Sequence, residues 1–214
     1  MTRALLVDAG GVLFNNVTEE TDFLLLLARK HGADPDELRR HLDQRDRAYE
    51  IGRRHVHEVL ADCLNAAGAN LVSVERDWTD ALYLDSVRAY DAAFTALRLL
   101  RESGTDLVLA LANNEAEHWD DLKNAHYGHL KLFDVIGSSW RLGTEKPRPE
   151  YFRRLLAACD CPPGDALFID DNPENVDAAR RYGVRALHIT GPSGLPAALS
   201  LLDRDRDQGR AACE

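Results

Sequence analysis

Cysteine is scarce and unpatterned: the four residues at 63, 159, 161 and 213 include no CxxC pair and no histidine at zinc-finger spacing. Reduced thiols are therefore expected, and a structural zinc site built on them is not. Long hydrophobic runs are missing as well. Phe23 to Leu27 falls far short of a bilayer span, and the start MTRALLVD lacks the charged-then-apolar order and cleavage site of a signal peptide. No membrane partner and a cytoplasmic location are the expectation. Positive charge is in deficit, with 26 Lys and Arg against 36 Asp and Glu, a formal net charge of -10. That excess repels polyanions, so nucleic acid is not an expected partner. An anionic small substrate needs a local positive site, either a metal ion or a well-placed lysine. Internal repeats and low-complexity segments are also absent.

What remains is a composition of 45% hydrophobic and 29% charged residues over 214 positions, enough to bury a full core. Short apolar runs recur at 4–7, 107–112, 135–137, 166–169 and 184–189, and read as largely buried strands. Helical patterns occupy 92–101, 116–124, 149–158, 173–182 and 195–202. This alternation implies an α/β fold, a Rossmann-like, doubly wound parallel sheet with helices on both faces. The stretch 17–90 has no convincing strand and reads as amphipathic helices, punctuated by Asp34-Pro35, Gly52 and Gly68. The expected organisation is a core of 1–16 and 91–203, an inserted helical cap at 17–90, and a polar, flexible tail at 204–214. Nothing in the chain decides between a monomer and a homodimer.

In open parallel sheets ligands collect where strands end at their carboxyl edge, so polar residues just after each apolar run carry most weight. Four such places occur. LLVDAGGVLF presents Asp8, followed by Gly10-Gly11, which lets backbone approach a bound group. LALANNE presents Asn113 and Asn114, and SSWRLGTEKPRPEYF places Lys146 before a proline-started helix. ALFIDDNPENVDAA presents the adjacent carboxylates Asp170 and Asp171. Each has a bland alternative: a turn or cap for Asp8, an Asx turn for the asparagines, a solvated surface amine for Lys146. The acidic pair resists dismissal, because adjacent carboxylates at a strand end repel unless a cation or proton intervenes. Three carboxylates offer the hard oxygen ligands that Mg²⁺ takes, and Lys146 with the Asn113 amide could neutralise and orient phosphoryl oxygens.

The order Asp8, Asn113-Asn114, Lys146, Asp170-Asp171 resembles the four motifs of the haloacid dehalogenase superfamily, covering the core from Thr2 to about Thr190. The long first interval leaves room for a helical cap. The resemblance implies a Mg²⁺-dependent phosphatase acting on a small anionic phosphorylated metabolite. It implies Asp8 as nucleophile forming an aspartyl-phosphate, Lys146 contacting Asp8 and phosphate, and Asn113 in the position usually held by Ser or Thr. Gly11, Asn113, Asn114 and Lys146 would bind phosphate. Mg²⁺ would be held by Asp8, the Gly10 carbonyl and Asp171, with Asp170 acting through a water.

Gly10 departs from the pattern. Phosphatases of this kind usually carry a second Asp there as general acid and base, help typically worth about 10²–10⁴-fold in rate. The set DAGGVL, NNE, EKPRPE and DDNPEN is similar to a subgroup, including alpha-D-glucose-1-phosphate phosphatases, in which Gly also follows. A missing acid favours leaving groups such as an anomeric hydroxyl or an acyl group. A haloacid dehalogenase needs no acid at position 10 but has uncharged residues where Asp170-Asp171 stand. A silent, fold-retaining binding protein is the third reading. Asn15, Asn16 and the Tyr49-Arg53-Arg54-His55 region are candidates for substrate choice, and Glu115 and His118 for the missing acid. His55 and His57, two apart, are expected on different faces of a helix, which disfavours a His-His metal site.

Overall fold

The structure, a computed structural model, describes residues 2–44 and 48–200. The order of elements is β1 (Ala4–Val7), α1 (Val17–Glu20), α2 (Phe23–His31), α3 (Pro35–Gln44), α4 (Val56–Ala66), α5 (Arg76–Ser86), α6 (Asp91–Glu102), β2 (Val108–Leu111) and α7 (Glu117–Tyr127). There follow β3 (Val135–Ile136), α8 (Ser139–Leu142), α9 (Pro149–Ala158), β4 (Ala166–Asp170), α10 (Pro173–Arg181) and β5 (Arg185–His188). All pairings are parallel, in the order β3-β2-β1-β4-β5, so the chain starts in the middle of the sheet and winds both ways. The expected α/β class, a Rossmann-like doubly wound sheet, is what forms. Strand β4 runs one residue further than the apolar run, taking Asp170 into the sheet. Helical backbone continues over 194–200; the end of the last expected helix at 201–202, the tail at 204–214 and Cys213 lie outside the described residues.

Alternation along each strand divides the core. Leu5, Val7, Leu109, Leu111, Leu167 and Ile169 belong to one apolar cluster, while Ala4, Leu6, Ala110, Ala112, Ala166 and Phe168 belong to the other. Near-continuous apolar strands are what burial on both faces requires. The second face is covered by α9, which buries Tyr151, Phe152, Leu155 and Leu156 along one stripe, and by α10. The first cluster takes in α6 and also Phe23, Leu27, Leu38 and Leu60 from α2, α3 and α4. The helices between β1 and α6 therefore complete the apolar cluster on that face rather than forming one of their own. None of Cys63, Cys159 and Cys161 is in a disulfide.

Local signals account for the helix boundaries. Asp34 Oδ1 accepts from the backbone N–H groups of Asp36 and Glu37, both at 2.9 Å, opening α3. Pro149 and Pro173 occupy first-turn positions of α9 and α10. The two connections to the insertion run side by side: Tyr90 N–H donates to Leu13 O at 2.8 Å and Asn15 N–H to Arg88 O at 3.1 Å. Asn15, a candidate for substrate choice, lines the pocket beside the site and commits its side-chain amide to this junction. Its Nδ2 donates to Ser86 O at 3.0 Å and its Oδ1 accepts from Arg88 N at 2.6 Å. Asn15→Ala strands both backbone groups and is expected to lower the unfolding free energy by about 1–3 kcal/mol, read from urea denaturation.

Candidate active site

The register brings the chemistry-bearing residues together. Val7 pairs with Leu111 on one side and Ile169 on the other, so the residues after β1, β2 and β4 leave the sheet at one level. Asp8 N–H donates to Ile169 O at 3.0 Å and Ala112 N–H to Val7 O at 2.8 Å. Asp8, Asn113, Lys146 and Asp170 are all buried, an unusual fate for polar and charged side chains. Their burial is paired: Lys146 Nζ donates to Asp8 Oδ1 at 2.7 Å and to Asp170 Oδ2 at 2.6 Å.

Asp170 is held further by Asn172 N–H, at 2.8 Å from Oδ1, and by Asn175 Nδ2, at 3.1 and 3.2 Å from its two oxygens. Asn175 carries no role in the sequence reading, although a signal existed. Pro173 opens α10, so Asn175 is the third helical residue, whose side chain can reach back past the helix start. Asp171 accepts from Asn16 Nδ2 at 2.8 Å. Asn114 takes no free position toward a phosphate with its side chain. Its Oδ1 accepts from Lys146 N–H and its Nδ2 donates to Lys146 O, both at 2.9 Å, making it a clamp on the lysine backbone.

The electrostatics leave room for a cation. Oxygens of Asp8, Asp170 and Asp171 lie within 4.8 Å of one another, and the three carboxylates, when all are ionised, exceed the single ammonium of Lys146 by two negative charges. Burial first, and then Asp170, push the Asp8 carboxyl well above its ordinary range despite Lys146. Burial likewise raises Asp171, against the Asn16 hydrogen bond. Burial pulls Lys146 down, but Asp170 and Asp8 outweigh it and hold the ammonium above its usual range. Gly11 sits at φ +63, and a Cβ there would come within 1.9 Å of Asp171 Oδ2, so only glycine leaves that carboxylate its place. The Nδ2 of Asn113, buried, has no hydrogen-bond partner among the described residues. A donor in that state is free to bond a ligand oxygen or a water.

The cavity over these groups measures about 350 Å³ and also meets Glu19 and Glu50, which the sequence reading did not single out. An inner pocket of about 130 Å³ shares Gly10, Asn16 and Asn113 with it and extends to Tyr49, Trp119 and Lys123. Of the other candidates, Glu115 also lines this inner pocket, whereas Arg53, Arg54, His55 and His118 lie elsewhere. Arg53, Arg54 and His55 line a different cavity, and Arg54 pairs with Asp62 at 2.9 Å. Glu115 accepts from Lys123 at 2.5 Å and from the Tyr83 hydroxyl at 3.1 Å, while His118 is 2.8 Å from Asp80. The expectation that His55 and His57 point apart fails. His55 is the extended cap residue before α4, so the helical angle does not apply to it, and its ring stacks on His57 with centroids 5.0 Å apart.

Comparison with known proteins adds a family model, haloacid dehalogenase-like hydrolase, which matches residues 2–183. The sesquiterpene phosphatase astK of Aspergillus oryzae is 36% identical over 101 residues, 47% of this chain and 50% of that protein, so the match spans about half of that relative. The validoxylamine A 7'-phosphate phosphatase of Streptomyces hygroscopicus subsp. limoneus is 24% identical over 89% of this chain and 86% of its own. A haloacid dehalogenase-family enzyme of Bacteroides thetaiotaomicron, solved with magnesium and inorganic phosphate, superposes with a TM-score of 0.72 at 22% identity, covering 89% of this chain and 96% of that one.

Removing Lys146 leaves Asp8 and Asp170 buried without a counter-charge, and Lys146→Ala is expected to cost about 3–5 kcal/mol at neutral pH. Without the ammonium, the Asp8 carboxyl, already raised by burial and by Asp170, prefers the protonated form in the folded state more strongly than in the unfolded one. The deficit should therefore narrow as pH falls and that proton is taken up, which paired urea titrations at neutral and acid pH would measure.

Proposed function

The chain belongs to the haloacid dehalogenase-like hydrolase family, and from that premise we propose that it is a Mg²⁺-dependent phosphatase of a small phosphorylated metabolite. The observation that carries the reading is the pairing of an unpartnered, buried Asn113 amide with three carboxylates that a single lysine cannot neutralise. Residues 17–90 act in this reading as the cap, and the substrate enters the cavity bounded by Glu19 and Glu50.

A phosphate monoester brings negative oxygens that Lys146 Nζ and Asn113 Nδ2 can bind, which supplies the positive site that a chain of net charge -10 otherwise lacks. A carboxylate oxygen of Asp8 attacks phosphorus, the bond to the leaving oxygen breaks with its electron pair, and the phosphoryl group rests on Asp8 until water releases it. Gly11 supplies close backbone approach, and Asn114 fixes Lys146. Asp8, the Gly10 carbonyl, Asp170 and Asp171 are the groups that would hold Mg²⁺, whose charge would offset that of the phosphoryl oxygens. The carboxylate pair also separates this reading from dehalogenation, because two further negative charges beside Asp8 disfavour a carboxylate substrate without a metal.

Position 10 supports a preference for particular leaving groups in this reading. A Cβ on Gly10 would lie 2.4 Å from Asn16 Oδ1, and Asn16 is held there by its bond to Asp171. The space that a second aspartate would enter is thus occupied by an amide that cannot supply a proton at neutral pH. Substrates whose leaving oxygen departs readily, anomeric or acyl phosphates, suit such a site.

Phosphate release from a panel of sugar phosphates and p-nitrophenyl phosphate tests the reading. Activity should require Mg²⁺, vanish with EDTA and fall by more than about 10³-fold in Asp8→Asn, with sugar 1-phosphates preferred over 6-phosphates. Metal-independent turnover, or none that depends on Asp8, would overturn it. Gly10→Asp alone should lower the rate by displacing Asn16, whereas Gly10→Asp with Asn16→Ala should recover part of the missing acid catalysis, about 10-fold or more on poor leaving groups.

A further inference from the structure

Outside the Asp8 site, two imidazoles from different elements converge on one carboxylate. His57 Nε2 lies 2.8 Å from Asp80 Oδ1, and His118 Nε2 lies 2.8 Å from Asp80 Oδ2. The three residues come from α4, α5 and α7, so the cluster joins two helices of the insertion to the helix that follows Asn113 and Asn114. One ligand atom from each lies within 4.8 Å of the other two. His57 and His118 have ring centroids 4.8 Å apart, and the ring of His55 closes the group at 5.0 and 5.1 Å from them. His57 is buried, His118 has a side chain 32% exposed, and a cavity of about 340 Å³ meets His55 and His118. The group therefore has a buried wall and an open side.

We propose that His57, Asp80 and His118 form a second metal site, taking one ion of the borderline class that imidazole and carboxylate suit, Zn²⁺ foremost. Two histidines and one carboxylate are a recurrent ligand set for an ion that keeps a fourth position open, and the adjoining cavity provides that position. A carboxylate only accepts hydrogen bonds, so without an ion both imidazoles direct Nε2–H at Asp80. On binding, each ring turns its Nε2 lone pair to the ion, and the proton on Nε2 passes to Nδ1 or to solvent. Neutral imidazole is the ligating form. The site is separated from that of Asp8 by chemistry as well as sequence. All-oxygen ligands suit a hard cation, whereas nitrogen ligands draw a softer one that Mg²⁺ does not displace.

Calorimetric titration of the full chain with Zn²⁺ in excess Mg²⁺ tests the proposal without reference to catalysis. One Zn²⁺ per chain is expected to bind, and Co²⁺ under the same conditions should give the visible absorption of a nitrogen-ligated, low-coordinate ion. His118→Ala, with His118→Gln as a volume-keeping companion, should weaken Zn²⁺ by at least about 10-fold and remove the Co²⁺ band, with the far-ultraviolet circular dichroism unchanged. Asp171→Asn should leave both signals in place, which separates failure here from failure of the phosphatase reading. Absence of Mg²⁺-resistant Zn²⁺ binding in the wild type would overturn the proposal. So would retention of the band in both His118 variants, or its loss in Asp171→Asn.

Discussion

A buried ammonium between two buried carboxylates is the constraint to which the rest of the molecule answers. Lys146 reaches Asp8 and Asp170 at 2.7 and 2.6 Å from a loop that is distant in sequence from both, and each of its neighbours is fixed in turn. Asn114 grips the lysine backbone from the end of β2, and Asn175 with the Asn172 N–H grips Asp170 from the start of α10. Charges taken out of water are tolerable only when such bonds are complete. The sheet register, which brings the ends of β1, β2 and β4 to one level, is what lets them be complete.

Much of this was legible in the sequence because its signals are local. Four apolar runs followed by polar residues mark strands and their carboxyl ends, and Pro149 and Pro173 mark helix starts, so Asp8, Asn113, Lys146 and the acidic pair could be placed at one edge before any coordinates. What escaped depends on side-chain direction. Asn175 reads as an ordinary helical residue until the helix start is fixed in space. Asn15 and Asn16, adjacent and chemically identical, part company: one joins the ends of the insertion and the other holds Asp171. Glu19 and Glu50 sit in polar stretches with no pattern, and only the folded insertion brings them to the cavity. His55 and His57 share a face because the helix boundary falls between them, and a helical angle does not relate a residue in α4 to the extended one before it.

Gly10 and Gly11 show that two neighbouring glycines need not share a reason. Gly11 has a left-handed backbone and no room for a Cβ beside Asp171. Gly10 has an ordinary φ, and what excludes a side chain is the end of Asn16, a group that could move if its bond to Asp171 were released. One is a constraint of backbone geometry; the other is a choice of which polar group stands at the mouth of the site.

The paired connections at Leu13 to Asn15 and Arg88 to Tyr90 carry a different consequence. Because the chain leaves the sheet and returns to it at almost the same point, the core experiences the intervening residues as a closed loop whose length enters only logarithmically into its closure entropy. The neck by itself therefore places little limit on the size of what hangs from it. The limit comes instead from the apolar faces of α2, α3 and α4, which complete the core beneath the chemistry and tie this insertion to the sheet.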